Sequence, residues 1–276
     1  MMEEQRIRQL RAVALERRLD VLEMVYRHKS GHIGGDMSCM ETLVALYYEI
    51  MDVEKIRRCA PERDRFVLSK GHNAEALYTV LADLGFLPKE ELDTFTCFQA
   101  RLAEHPTYKV PGIEIATGAL GHGLPIAVGM ALGLRRLAPQ AHVYTLMGDG
   151  EQAEGSVWEA AMAAGKFGLE NLTCIVDRNR LQISGDTETV MPLDDLQKKY
   201  EAFGFVCVEC DGHAFDSVCG ALRTRTAGKP VLVIANTIKG HGSAVMENKA
   251  QWHHAIPNDE EYMQIREDLL RMLEAE

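Results

Sequence analysis

Residues 142–156 read His142-Val143-Tyr144-Thr145-Leu146-Met147-Gly148-Asp149-Gly150-Glu151-Gln152-Ala153-Glu154-Gly155-Ser156. An apolar run stops at two glycines that flank an aspartate. A second apolar run, Ser156 to Ala164, then takes up helical spacing. Beyond it lies Leu172-Thr173-Cys174-Ile175-Val176, another short run with strand character. Strand, helix and strand in succession predict a βαβ unit with parallel strands, at 143–147, 155–167 and 172–176. Asp149 then leaves the end of the first strand and Asn179 the end of the second. Both emerge on the carboxyl edge, where open sheets bind ligands. The linking helix starts near Glu154–Ser156, and its free N–H groups favour an anion there.

A carboxylate, an amide oxygen and N–H donors suit a hard cation carrying phosphate. Mg²⁺ takes six oxygens, usually some from phosphate. Asp149, Asn179 and a carbonyl in the turn "NRLQ" supply protein oxygens. Gly148 and Gly150 let a diphosphate lie against the backbone. Asp-Gly alone is a common turn. The weight comes from the pairing: 28 residues separate Gly150 from Asn179, enough for one helix and one strand.

The rest of the chain extends this pattern. Its 276 residues, 46% hydrophobic, suffice for a large core. Helices are predicted at 5–28, after Ser38, at 73–84, through "LPIAVGMALGLRRLA" and at 259–275. Ser38 and Glu41 have the spacing of a capping box, with "KSGHIGGDMS" as the loop before it. Further strands are predicted in "RFVLSKGH", at 205–209 and at 231–235, and residues 95–123 as loop. The expected fold is α/β: a single domain over 1–276, a mostly parallel sheet with helices on both faces, and N-terminal helices within 5–50. The net charge of −11, with no basic tail, argues against a nucleic-acid partner. No apolar run reaches 18 residues and no signal-peptide core precedes the first helix, so no membrane partner and a cytoplasmic location are expected. The seven cysteines are scattered, which fits a reducing compartment. Cys207 and Cys210 lie on a strand-like stretch that points them to opposite faces, so they are expected to be structural. His28, His142 and His213 are expected to be surface or satisfied core groups, and no H-x₃-H or H-E-x-x-H pattern marks a histidine metal site.

Five ordered motifs carry a resemblance: "SGHIGG" (30–35), "SKGH" (69–72), "EHP" (104–106), "TGALGHG" (117–123) and "GDG" with its later asparagine turn. In this order they resemble the N-terminal half of transketolases, the domain that binds the cofactor diphosphate, over residues 5 to about 255. The chain looks most like the separate N-terminal subunit of split transketolases. The resemblance implies thiamine diphosphate and Mg²⁺ as cofactors. It implies metal ligation by Asp149, Asn179 and the carbonyl of Leu181. Cofactor contacts fall on His72, Gly118, Leu120, Gly150, Glu154, Asn179 and Lys239. His32, His72, His105 and His253 are the implied catalytic residues, contacting substrate hydroxyls and shuttling protons near neutral pH, where imidazole titrates.

The chain departs from the family at Arg178, where Asn or Asp is usual, at Glu104 for Gly, at His122 for Gln and at His254 for Gly. A carboxylate beside His105 is expected to order that ring or raise its pKa. The resemblance further implies a partner: a separate C-terminal subunit with the pyrimidine-binding domain and the activating glutamate, in a 2+2 heterotetramer acting on sugar phosphates. Alone, the chain is expected to be inactive. Three alternatives stand beside this reading: the α-subunit of a 2-oxo acid dehydrogenase, a deoxyxylulose-phosphate synthase, and a non-catalytic cofactor-binding subunit.

Overall fold

Strand residues alternate between two apolar clusters, which is how one sheet acquires helices on both faces. The structure, a computed structural model, describes residues 2–276. Its main sheet has the strands β1 (Arg65–Leu68), β2 (Val143–Gly148), β3 (Leu172–Arg178), β6 (Val206–Asp211) and β7 (Val231–Asn236). Outside it, β4 (Leu181–Gln182) and β5 (Gly185–Asp186) form a small hairpin. The order in the main sheet is β1-β2-β3-β7-β6 and every pairing is parallel. On β7, Val231, Val233 and Ala235 face one cluster, and Leu232 and Ile234 the other.

The first cluster is built with α1 (Glu4–His28), α2 (Ile33–Ala45), α4 (Ala74–Asp83), α9 (Phe215–Leu222) and α10 (Asp259–Glu274); the short α3 (Val53–Arg57) adds Ile56. The second is covered by α5 (Gly123–Leu137), α6 (Gly155–Lys166) and α8 (Leu196–Ala202), and α7 (Thr187–Val190) is a single turn. Cys207 packs on the second cluster and Cys210 is buried in the first, as the strand reading requires. Helix α10 opens on a capping box, with Asn258 Oδ1 accepting from Glu261 N and Glu261 Oε2 accepting from Asn258 N, both at 2.9 Å. Such caps contribute about 1 kcal/mol. No helix among the described residues is long and apolar enough to cross a membrane.

The expected strands and the major helices are present within a few residues of their predicted bounds. The capping box at Ser38 is not. Helix α2 starts at Ile33, so Ser38 lies in its interior, where its Oγ donates to Asp177 Oδ2 at 2.6 Å. Glu41 instead accepts from Arg18 at 2.7 Å. Glycines suggested loop, but Gly34 is needed for packing: a Cβ there would meet the Trp252 backbone carbonyl. Packing against the 250–253 turn overrides glycine's low helix propensity. The hairpin of β4 and β5 is too short to show a period.

Candidate active site

β2 and β3 are adjacent, and Gly148 pairs with Asp177, so the two strands end level with each other. Asp149 and Asn179 therefore leave the sheet side by side. Both are buried. The hairpin that follows presents Leu181 at the same edge. A cavity of about 270 Å³ is lined by Asp149, Asn179 and Leu181 and, around them, by His72, Lys239 and His253. Gly150, Leu120 and Glu154 also line it. Leu181 O accepts a long 3.4 Å contact from Lys239 Nζ.

Asp149 is held on all sides. Its Oδ1 accepts from Gly150 N at 2.8 Å, and its Oδ2 accepts from Arg180 N at 2.5 Å and Arg178 Nη1 at 3.1 Å. Burial, then the charge of Asp177, push its pKa up, and these donors pull it back. Arg178 continues to Thr187 Oγ1 at 2.7 Å and Glu188 Oε1 at 2.5 Å, tying the aspartate to α7. Asn179 is oriented from beneath, its Nδ2 donating to Asp177 Oδ2 at 3.0 Å and its Oδ1 accepting from Leu181 N at 3.1 Å.

Two parts of this support were not legible in the sequence. Asp177 forms a buried ion pair with Lys70 Nζ at 2.5 Å and also accepts from Thr237. Burial works against both charges; Lys70 and the donors outweigh it and hold Asp177 below the usual range. Glu151 braces the glycine turn, accepting from Ser69, from Gly121 N at 2.8 Å and from Gly148 N at 3.0 Å. Lys70 and Ser69 sit inside the "SKGH" motif, but no spacing signals their partners. Lys239, nearly enclosed, is lowered to about 8 by burial and by the charge of Lys70.

The histidines from four separate loops converge. His32 lies 5.2 Å from His72, 6.0 Å from His105, 5.7 Å from His253 and 4.6 Å from His254, ring centre to ring centre. Gly118 permits the approach of His105: its φ is +136°, and a Cβ there would lie 2.6 Å from His105 Cδ2. Burial lowers His32 to about 4 and His253 to about 3, and holds His72 well below its ordinary value. Nearby cationic groups act in the same direction, so these rings are neutral at pH 7. The Nδ1 atoms of His32 and His253 are buried without a protein partner. Unpaired buried polar atoms are costly, and a bound hydroxyl or cofactor atom satisfies them. With three oxygens at the sheet edge, a lysine beside them and orphaned imidazole nitrogens next door, the residues present fit a metal-bound diphosphate cofactor.

The remaining histidines are structural or peripheral. His142 Nε2 meets Thr173 Oγ1 at 2.8 Å, and burial lowers it to about 3. His28 packs edge-on to Phe95, and His122 is exposed at the start of α5. Glu41, His213 and His241 converge as a metal set would. However, Arg18 already neutralises Glu41, Ile238 N donates to His213 Nε2 at 2.9 Å, and the two rings stack at 3.7 Å. Glu41 and His213 are thus paired within the core, whereas His241 Nδ1 is buried without a hydrogen-bond partner.

Comparison with known proteins identifies the family. The family described as "Transketolase, thiamine diphosphate binding domain" matches residues 8–271. An apulose-4-phosphate transketolase subunit of Phocaeicola vulgatus is 48% identical, over 88% of this chain and 87% of that protein. A 6-deoxy-6-sulfo-D-fructose transketolase subunit of a Clostridium species is 42% identical over 84% of this chain and 86% of its own length. Transketolase of Campylobacter jejuni superposes with a TM-score of 0.85 at 30% identity, covering 97% of this chain. The chain spans 43% of that solved structure and 40% of human transketolase. The chain belongs to the thiamine-diphosphate-binding domain family of transketolases. Its cofactor is thiamine diphosphate with a divalent metal such as Mg²⁺, and relatives of nearly its own length are named as transketolase subunits, which implies a partner subunit.

Proposed function

We propose that this chain is the diphosphate-binding subunit of a two-chain transketolase, which moves a two-carbon ketol unit from a ketose donor to an aldose acceptor. The observation that carries this reading is the convergence of Asp149, Asn179 and the Leu181 carbonyl in one cavity beside His72, His253 and Lys239. In it, Asp149, Asn179 and Leu181 O hold Mg²⁺. Gly150, Glu154, Lys239, Gly118 and Leu120 would contact the cofactor. Thiamine diphosphate, when bound, supplies the carbanion chemistry for breaking and making the C–C bond. The chain's own contribution is orientation and proton control. His32, His72, His105 and His253 hold substrate hydroxyls and accept and return a hydroxyl proton as the bond breaks and re-forms.

The partner is a separate C-terminal subunit that supplies the pyrimidine-binding domain and the activating glutamate, in a 2+2 heterotetramer. An exposed apolar side chain at the cavity supports a covering surface: Ile183 lines it and is 75% exposed. The substrates are sugar phosphates or related anionic sugars. The named relatives act on apulose 4-phosphate and 6-deoxy-6-sulfo-D-fructose, so a specialised sugar pathway is favoured over the pentose phosphates.

The test is purification of the tagged chain from its native cells, identification of the co-purified protein, and a two-carbon transfer assay with thiamine diphosphate and Mg²⁺. The expected result is co-purification of a second subunit, with ketol transfer by the pair. A chain that purifies alone, and binds no cofactor, refutes the proposal.

A further inference from the structure

Glu104 and His254, the two departures nearest the histidines, meet in the fold. Glu104 Oε1 accepts from Ser30 Oγ and lies 3.9 Å from His254 Nε2. His254 in turn packs edge-on against His32 at 4.6 Å, so a continuous contact path runs from the catalytic histidines to this carboxylate. The carboxylate is not sequestered: the Glu104 side chain is 33% exposed and that of His254 is 52% exposed. Among the described residues nothing donates to Glu104 Oε2.

Glu104 also lines a second cavity, of about 580 Å³, with Ser30, His105, Thr107 and Thr117 among its walls. This cavity is distinct from the diphosphate cavity, and His32 lies between His105 of the one and His72 and His253 of the other. No lysine or arginine lines it. A phosphate or sulfonate placed there would face a carboxylate with no cation to answer it. A sugar hydroxyl would find a charged acceptor in Glu104 and further partners in serine, threonine and imidazole groups.

We propose that Ser30, Glu104 and His254 form a hydroxyl-reading subsite that selects substrates presenting unesterified hydroxyls on this side and rejects an anionic group there. The inference rests on the transketolase reading above. It makes Glu104 a specificity-determining residue: Oε1 is pinned by Ser30, and Oε2 is the acceptor offered to the substrate. The anionic end of the sugar must then be read from the opposite side, by the partner subunit.

The experiment uses the complex purified with its native partner and two donors. D-fructose 6-phosphate carries a hydroxylated arm, and hydroxypyruvate delivers the same two-carbon unit without one. For Glu104→Gln, kcat/KM with fructose 6-phosphate is expected to fall about tenfold to a hundredfold, the weight of a hydrogen bond to a charged acceptor. The loss should lie mainly in KM. With hydroxypyruvate, itself an anion that the Glu104 carboxylate disfavours, kcat/KM should not fall. Ser30→Ala, which only frees Oε1, should show the same donor split at smaller size. Equal losses with both donors would mean that Glu104 merely positions His32, and no loss with either would mean that it faces solvent; each overturns the subsite. A wild-type complex that transfers no two-carbon unit from fructose 6-phosphate, 6-deoxy-6-sulfo-D-fructose or hydroxypyruvate overturns the transketolase reading itself, and the subsite with it.

Discussion

Replacing Lys70 by Met removes the cation from a fully enclosed ion pair beneath Asp149 and Asn179. The side chains of Lys70 and Asp177 are 2% and 1% exposed and stand 2.5 Å apart. Breaking a buried pair by removing one partner costs about 3–5 kcal/mol, because a charge is left without compensation. Here Ser38, Thr237 and Asn179 still donate to the carboxylate, so the lower end, about 3 kcal/mol, is expected. Lys70→Met with Asp177→Asn removes both charges and should cost only about 1–2 kcal/mol, a coupling of at least about 1 kcal/mol in a double-mutant cycle. Urea denaturation of the purified chain, followed by circular dichroism, measures all three variants. The pH dependence has a definite sign. Asp177 is held below the usual carboxylate range, so its contribution is present above its unfolded pKa and is lost as pH falls through the folded value. The wild-type advantage over Lys70→Met should therefore shrink in acid. A cost for Lys70→Met below about 1 kcal/mol at pH 7, or strict additivity with Asp177→Asn, refutes the reasoning.

Asp36 gives the opposite sign: burial lifts it from 3.8 to about 7, opposed by the Ala76 N–H, so wild-type stability should fall as pH rises through that range. Asp36→Asn should therefore gain stability relative to wild type between pH 4 and pH 8, read from urea midpoints at each pH. Asp149→Asn should weaken binding of Mg²⁺–thiamine diphosphate to the assembled complex by about 100-fold or more, measured by calorimetry, while the melting temperature without cofactor does not fall. Gly118→Ala forces a Cβ into a position 2.6 Å from His105 Cδ2 at φ +136°. It should cost about 1–3 kcal/mol of stability and at least about tenfold in kcat, and an unchanged kcat would show that His105 is not needed where it stands.

Much of the fold is local and was readable as such. The apolar run Val231–Ala235, the apolar run before Gly148 and the helical run after Gly155 each state an element within a few residues of themselves. Because strand ends are local, Asp149 and Asn179 were placed at a sheet edge from spacing alone. Where local signals misled, packing was the cause. Ser38 has the composition of a cap but sits inside α2, because Gly34 lets that helix begin earlier against the 250–253 turn.

The sequence by itself determined the parallel α/β layers and the place of Asp149 and Asn179 at one sheet edge. Only the tertiary structure decided which buried charges compensate each other. Lys70 meets Asp177, Arg178 clamps Asp149, Glu41 takes Arg18 and His213, and Glu104 meets His254. Partners of this kind stand on different elements, and their meeting depends on the strand order β1-β2-β3-β7-β6 and on how the loops close over it. A charge in a low-dielectric interior must find its counterpart through space, and no period along the chain encodes where that counterpart lies.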